Sequence, residues 1–128
     1  MNYKSTPDWD KTVRELTGGI GVDHVIEVGG EATLPVSMKA VRMGGTISVI
    51  GVLSGVGGVT FVPVLMRSLR LQGIYVGSRE IFLDMLRAMS QRETRPVIDR
   101  VFPFEELPAA LEYMKTGRHF GKICLSFP

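Results

Sequence analysis

Two apolar strands that each run into glycine constrain this chain most: Asp23-His-Val-Ile-Glu-Val-Gly-Gly30 and Gly45-Thr-Ile-Ser-Val-Ile-Gly-Val-Leu-Ser-Gly55. A helix-length segment separates them. Open α/β sheets place ligands where buried parallel strands end and the chain turns. A dinucleotide-binding sheet normally begins with a strand, a GxGxxG turn and a helix. This chain has no such opening, so the two strands read as part of a larger construction.

The flanking segments alternate helix and strand. Thr6-Pro7-Asp8 reads as a helix start, with a hydroxyl cap, proline in the first turn and then acidic residues. Trp9, Val13 and Leu16 follow at helical spacing, and Gly18-Gly19 closes the element. The first strand spans 23–28. A second helix is expected over 32–43, with Pro35 in its first turn, an apolar stripe of Leu34, Met38 and Val41, and Gly44-Gly45 as its stop. The second strand spans 46–52 on its β-branched residues. A loop, Ser54-Gly55-Val56-Gly57-Gly58, leads to a short helical turn over 63–68 and a third strand over 69–76.

Ser78 reads as the N-cap of a helix over 79–91 whose apolar face is Ile81, Phe82, Met85, Leu86 and Met89. The polar stretch Arg92-Glu93-Thr94-Arg95-Pro96 is a candidate boundary. Beyond it lie an extended segment over 97–101 and a helix over 104–116 with Leu107, Leu111 and Met114 inward. The last strand spans 122–127. Alternation of this kind implies parallel crossovers and a layered α/β sheet. The methionines on helix faces (Met38, Met43, Met85, Met89, Met114) read as core packing.

Composition narrows the function classes. The 128 residues are 45% hydrophobic with a net charge of +2, which suits a folded globular chain of one domain's length. Basic residues are scattered apart from Arg67/Arg70 and Arg92/Arg95, which read as solvated surface, so no nucleic-acid patch is expected. The longest apolar runs are strand-sized, short of a membrane span. One cysteine, Cys124, excludes an internal disulfide and CxxC-type zinc spacing. With no signal-peptide pattern, the expected setting is cytoplasmic.

Near-miss motifs fall away on chemistry. Gly19-Ile20-Gly21 is preceded by a helix and has His24 where a third glycine is required, and Gly55-Val56-Gly57 has Thr60 there. A phosphate turn needs strand, tight turn and helix so that backbone N–H groups face the anion. The stretch from Gly117 to Lys122 is one residue short of a P-loop and lacks its Ser/Thr. His24 and His119 have no HExxH, GxSxG or Cys/His partners. Glu27, an acid between Ile26 and Val28, is either exposed on one face or bonded to a neighbouring loop, with a catalytic base the lesser reading.

Taken in order, V-D-H-V-I-E-V-G-G, T-I-S-V-I-G-V-L-S-G, L-R-L-Q-G-I-Y-V-G-S-R and F-P-F-E-E-L-P-A-A-L-E-Y-M-K-T-G-R-H-F-G-K-I resemble one family along essentially the whole chain. It is the medium-chain dehydrogenase/reductase superfamily, of zinc-type alcohol dehydrogenase and quinone oxidoreductase kind. The resemblance implies the second half of a Rossmann-type doubly wound parallel sheet (1–92) plus a tail (93–128) that returns to the catalytic domain. The catalytic domain, any zinc ligands, the GxGxxG turn and the residue that tells NAD from NADP would all lie N-terminal to this chain.

The same resemblance implies cofactor contacts made largely by backbone. Val28, Gly29 and Gly30 would wall the nicotinamide ribose, and Ile50, Gly51 and Val52 would line the nicotinamide. Val76, Gly77 and Ser78 would hold the carboxamide, with Lys122 near the pyrophosphate. Glycines permit close backbone approach and lysine supplies a point charge for phosphate. No residue is expected to be catalytic or to bind metal. The implied ligands in the intact protein are NAD or NADP and a small alcohol, aldehyde or enone. The chain is thus expected to be the C-terminal part of an NAD(P)-dependent oxidoreductase that transfers hydride, inactive in isolation; the alternative is a non-catalytic oligomeric module that self-pairs through strand 69–76.

Overall fold

The structure is a computed structural model that describes residues 2–3, 5–55, 57–58 and 60–128. Met1, and Val56 of the expected glycine-rich loop, lie outside the described residues. By contacts the chain forms two compact units, Met1–Val76 and Gly77–Pro128.

The first unit contains α1 (Trp9–Leu16), β1 (Val22–Glu27), α2 (Leu34–Ala40), β2 (Val41–Val49), α3 (Val62–Met66) and β3 (Arg70–Gly73). Its strands form one parallel sheet in the order β1-β2-β3, as the alternation of elements requires. Leu34, Met38, Val41, Ile47 and Leu69 make the buried core, flanked by Val25, Val49, Val64 and Leu71. β1 and β3 are both edge strands.

Several boundaries differ from those expected. α1 starts at Trp9 with Asp8 at the cap position and no side-chain cap bond, so Thr6 does not cap it. α2 ends at Ala40, where Val41 turns extended into β2, and arginines satisfy the carbonyls left open there. Arg67 donates to the Met38 carbonyl and, at 2.5 Å, to that of Val41, while Arg14 Nε reaches the Lys39 carbonyl at 3.0 Å. Arg67, expected as solvated surface, is therefore a half-buried cap.

The Gly44-Gly45 pair does not stop a helix either. It lies inside β2, where Val22 pairs with Val41 but His24 pairs with Thr46, so the intervening residues bulge out of the ladder. Gly44 has φ +70° there, a backbone region that favours glycine. At its other end β2 leaves the sheet at Val49, because the Ile50 and Gly51 amides both donate to the Glu27 carbonyl, at 2.8 and 3.2 Å. The expected third strand, 69–76, consequently shortens to Arg70–Gly73. After the Ile74 amide bonds Val49 (2.9 Å), β2 offers Tyr75 and Val76 no further ladder.

The second unit contains α4 (Arg79–Gln91), β4 (Ile98–Pro103), a single 3-10 turn (Phe104–Glu106), α5 (Leu107–Lys115) and β5 (Lys122–Ser126). β4 and β5 pair in parallel across α5. α4 has the bounds expected from its pattern, and the Ser78 hydroxyl accepts the Ile81 amide as its cap. Phe102 and Ala110 are this unit's buried apolar residues.

The apolar stripes are less buried than their periodicity suggested. Leu16, Ile81, Phe82, Met85, Leu86, Leu111 and Met114 are all exposed, and of the five helix-face methionines only Met38 is fully buried. A periodic stripe marks the face that requires a partner; it does not ensure that the same chain supplies one.

Candidate cofactor site

The site is organised by Glu27, the last residue of β1. In sequence it is an acid in an apolar strand; in the structure its residue is only 3% exposed. One carboxylate oxygen accepts the Gly29 amide (2.7 Å), the Gly30 amide (3.1 Å) and the Thr33 hydroxyl (2.5 Å). The other accepts the Ser37 hydroxyl from α2. Of the two placements open to Glu27 in sequence, bonding to a neighbouring loop is the one observed. Burial pushes the carboxyl up, but the bonds from Ser37, Thr33 and the Gly30 and Gly29 amides outweigh it and hold it below its ordinary value. The charge is retained because four donors converge on the buried carboxylate.

This carboxylate shapes the turn after β1, and a second set of bonds ties that turn to the loop after β2. The Ser54 amide and hydroxyl both donate to the Gly29 carbonyl, at 2.8 and 2.9 Å, and the Ala32 amide donates back to Ser54 Oγ at 2.9 Å. Glu31 accepts the Gly57 amide at 3.0 Å. The approach is close. A Cβ on Gly51 would collide with the Val28 carbonyl, and one on Gly30, where φ is +103°, would lie 2.9 Å from the Val52 Cα.

Six of the expected site positions thus come together in the first unit: Val28, Gly29, Gly30, Ile50, Gly51 and Val52 form one rim at the carboxyl ends of β1 and β2. Its side chains Val28, Ile50 and Val52 are about half exposed and apolar (51%, 48% and 56%). Val76 is an exposed residue at the end of the first unit. Gly77, Ser78 and Lys122 belong to the second, where Ser78 caps α4 and Lys122 opens β5. A cavity of about 580 Å³ lies beside β1, lined among others by Trp9, Val25, Ile26, Val28 and Leu53. It shares Val28 and Gly29 with the rim.

The organising role of Glu27 was missed in the sequence, although a signal existed: hydroxyl residues six and ten positions later fall where α2 presents them to the acid. The histidines have other partners within their own units. His24 Nε2 pairs with Ser48 Oγ at 2.8 Å, and the His119 ring lies 6.3 Å from that of Tyr113 in the second unit. Among the described residues no three His, Cys, Asp or Glu side chains are grouped to hold a metal ion. No helix among them is long and apolar enough to cross a membrane.

The profile of a family described as zinc-binding dehydrogenase matches residues 1–125. The chain belongs to that family. Zinc-binding dehydrogenases and their relatives resemble it in both sequence and fold. A zinc-type alcohol dehydrogenase-like protein of Schizosaccharomyces pombe is 41% identical over 98% of this chain and 38% of its own length. A solved NAD-dependent alcohol dehydrogenase superposes with a TM-score of 0.80 at 33% identity, covering 94% of this chain and 35% of that one. A crotonyl-CoA carboxylase/reductase in complex with NADP superposes with a TM-score of 0.79 at 26% identity, covering 91% and 30%. The chain therefore spans well under half the length of these relatives. It has the parallel α/β architecture of the family's Rossmann-like part, and its relatives are oxidoreductases.

Proposed function

We propose that this chain is the C-terminal part of an NAD(P)-dependent oxidoreductase of zinc-type alcohol dehydrogenase kind. Residues 1–92 would complete the cofactor domain and 93–128 would return to the catalytic domain. The observation that supports this most is the rim itself. Two strand ends are held so close that only glycine fits between them, and they present Val28, Ile50 and Val52 as an apolar ledge for a flat ring. The residues present fit a nicotinamide. Bound there, it would supply the hydride acceptor or donor for an alcohol, aldehyde or enone. Val76, Gly77, Ser78 and Lys122 are proposed to complete its contacts in the intact protein.

What this chain's residues do is bind and orient. The Gly29 and Gly30 amides are already committed to Glu27, so the rim's contribution is shape and apolar contact rather than amide-to-phosphate bonding. The residues present do not fit a zinc site, and zinc enters no step assigned to them. NAD and NADP are both compatible with the rim. The proposal extends to a cytoplasmic setting, with which a single free cysteine accords.

The isolated chain should neither turn over simple alcohols nor bind cofactor tightly, since it carries no phosphate turn. Calorimetric titration with NADH and NADPH should show no saturation below millimolar concentrations. Micromolar binding, or turnover of an alcohol, would overturn this. A second reading, a non-catalytic oligomeric module, draws on the unpaired edge of β3 and the exposed Tyr75 and Val76 beyond it.

A further inference from the structure

Of the six rim positions, four are hydrogen-bonded to one residue. Glu27 receives the Gly29 and Gly30 amides on its carboxylate and the Ile50 and Gly51 amides on its backbone carbonyl. It is buried and does not itself belong to the exposed ledge. A glycine pair left to itself would sample many backbone states. Here both glycine amides are pinned by charge-assisted bonds, and Thr33, just before α2, and Ser37 within it fix the carboxylate. We propose that Glu27 is a positioning residue that preforms the nicotinamide-facing rim, so that ordering the Val28–Gly30 turn is complete before any cofactor arrives. The inference rests on the cofactor reading above and deepens it.

Preformation has a kinetic signature. A rim that must be ordered during binding lowers affinity for cofactor without altering the chemical step. A residue that merely stabilises the fold changes the fraction of active molecules, which lowers apparent kcat and leaves KM unchanged. Glu27→Gln keeps the side chain's shape and removes its charge. Thr33→Val removes one donor to the same oxygen and serves as the second variant should Glu27→Gln fail to fold.

Two measurements test the proposal. Amide hydrogen exchange on the full chain should show protection at Gly29 and Gly30 falling about tenfold or more in Glu27→Gln, as loss of bonds to a charged acceptor implies. Protection at Ile50 and Gly51, whose acceptor is main chain, should be retained. In the natural polypeptide that carries residues 1–128, KM for the nicotinamide cofactor should rise about three- to tenfold with kcat unchanged. Equal loss of protection at all four amides, or a fall in kcat at constant KM, overturns the positioning role. If the amide pattern changes as expected while that polypeptide shows no nicotinamide binding, the cofactor reading falls and Glu27's hold on the turn stands.

Discussion

The Val28 carbonyl sits so close to Gly51 that a side chain of any size at residue 51 would strike it. This contact sets how near the ends of β1 and β2 approach each other, and therefore the shape of the rim that both strands present.

Gly51→Ala should force the two strand ends apart. Overpacking of this kind costs about 1–3 kcal/mol. The urea midpoint of the variant should fall accordingly, with an unchanged slope. A midpoint equal to that of the parent chain would contradict so close an approach.

Acid should weaken the first unit through Glu27. Its folded carboxyl lies below the ordinary value of 4.5, so the folded state favours the ionised form. The resulting stabilisation is fully present above the unfolded value and is lost as pH falls through the folded one. Urea midpoints from neutral pH down to about 3 should therefore drop less steeply in Glu27→Gln than in the parent chain. Parallel curves would remove Glu27 from the acid response.

Arg67 fastens the end of α2 to α3 by bonding the Met38 and Val41 carbonyls with two guanidinium nitrogens. Arg67→Met should lose about 3 kcal/mol, the scale for two bonds from a charged donor whose buried acceptors are then left open. Arg67→Lys should recover less than half of that, because a compact ammonium does not reproduce the planar fork. Denaturant unfolding of the three chains decides it, and full recovery by lysine would contradict the geometry.

Self-association should follow the apolar edge beyond β3. Tyr75 is 91% exposed and Val76 79%. The chain should be a dimer or larger by light scattering at micromolar concentrations, and Tyr75→Ser with Val76→Thr should shift it towards monomer. A monomeric parent chain would end the oligomeric reading.

Local chemistry was enough for part of this protein. Ser78 as cap and the 79–91 helix are visible in the sequence because a hydroxyl cap and a 3.6-residue stripe act within a few residues of each other. The alternation of helices and strands likewise announced parallel sheets, and the glycines after β1 and β2 marked where the chain turns. The ordered motifs also carried the family resemblance, which the matching profile bears out.

Tertiary structure decided what depends on partners distant in sequence. Gly44-Gly45 reads as a helix stop, but α2 ends earlier, at Ala40, with Arg67 and Arg14 bonding the carbonyls there, and the glycines become a bulge in β2. Glu27 reads as an awkward acid until α2 brings Ser37 to it and β2 brings the Ile50 and Gly51 amides to its carbonyl. An isolated strand shows that an acid is present; the folded turn after it and α2 together supply the donors that let its charge stay buried. The sequence by itself therefore determined which segments turn on glycine, and the tertiary contacts determined that one buried residue holds those turns together, the first by its carboxylate and the second by its backbone carbonyl.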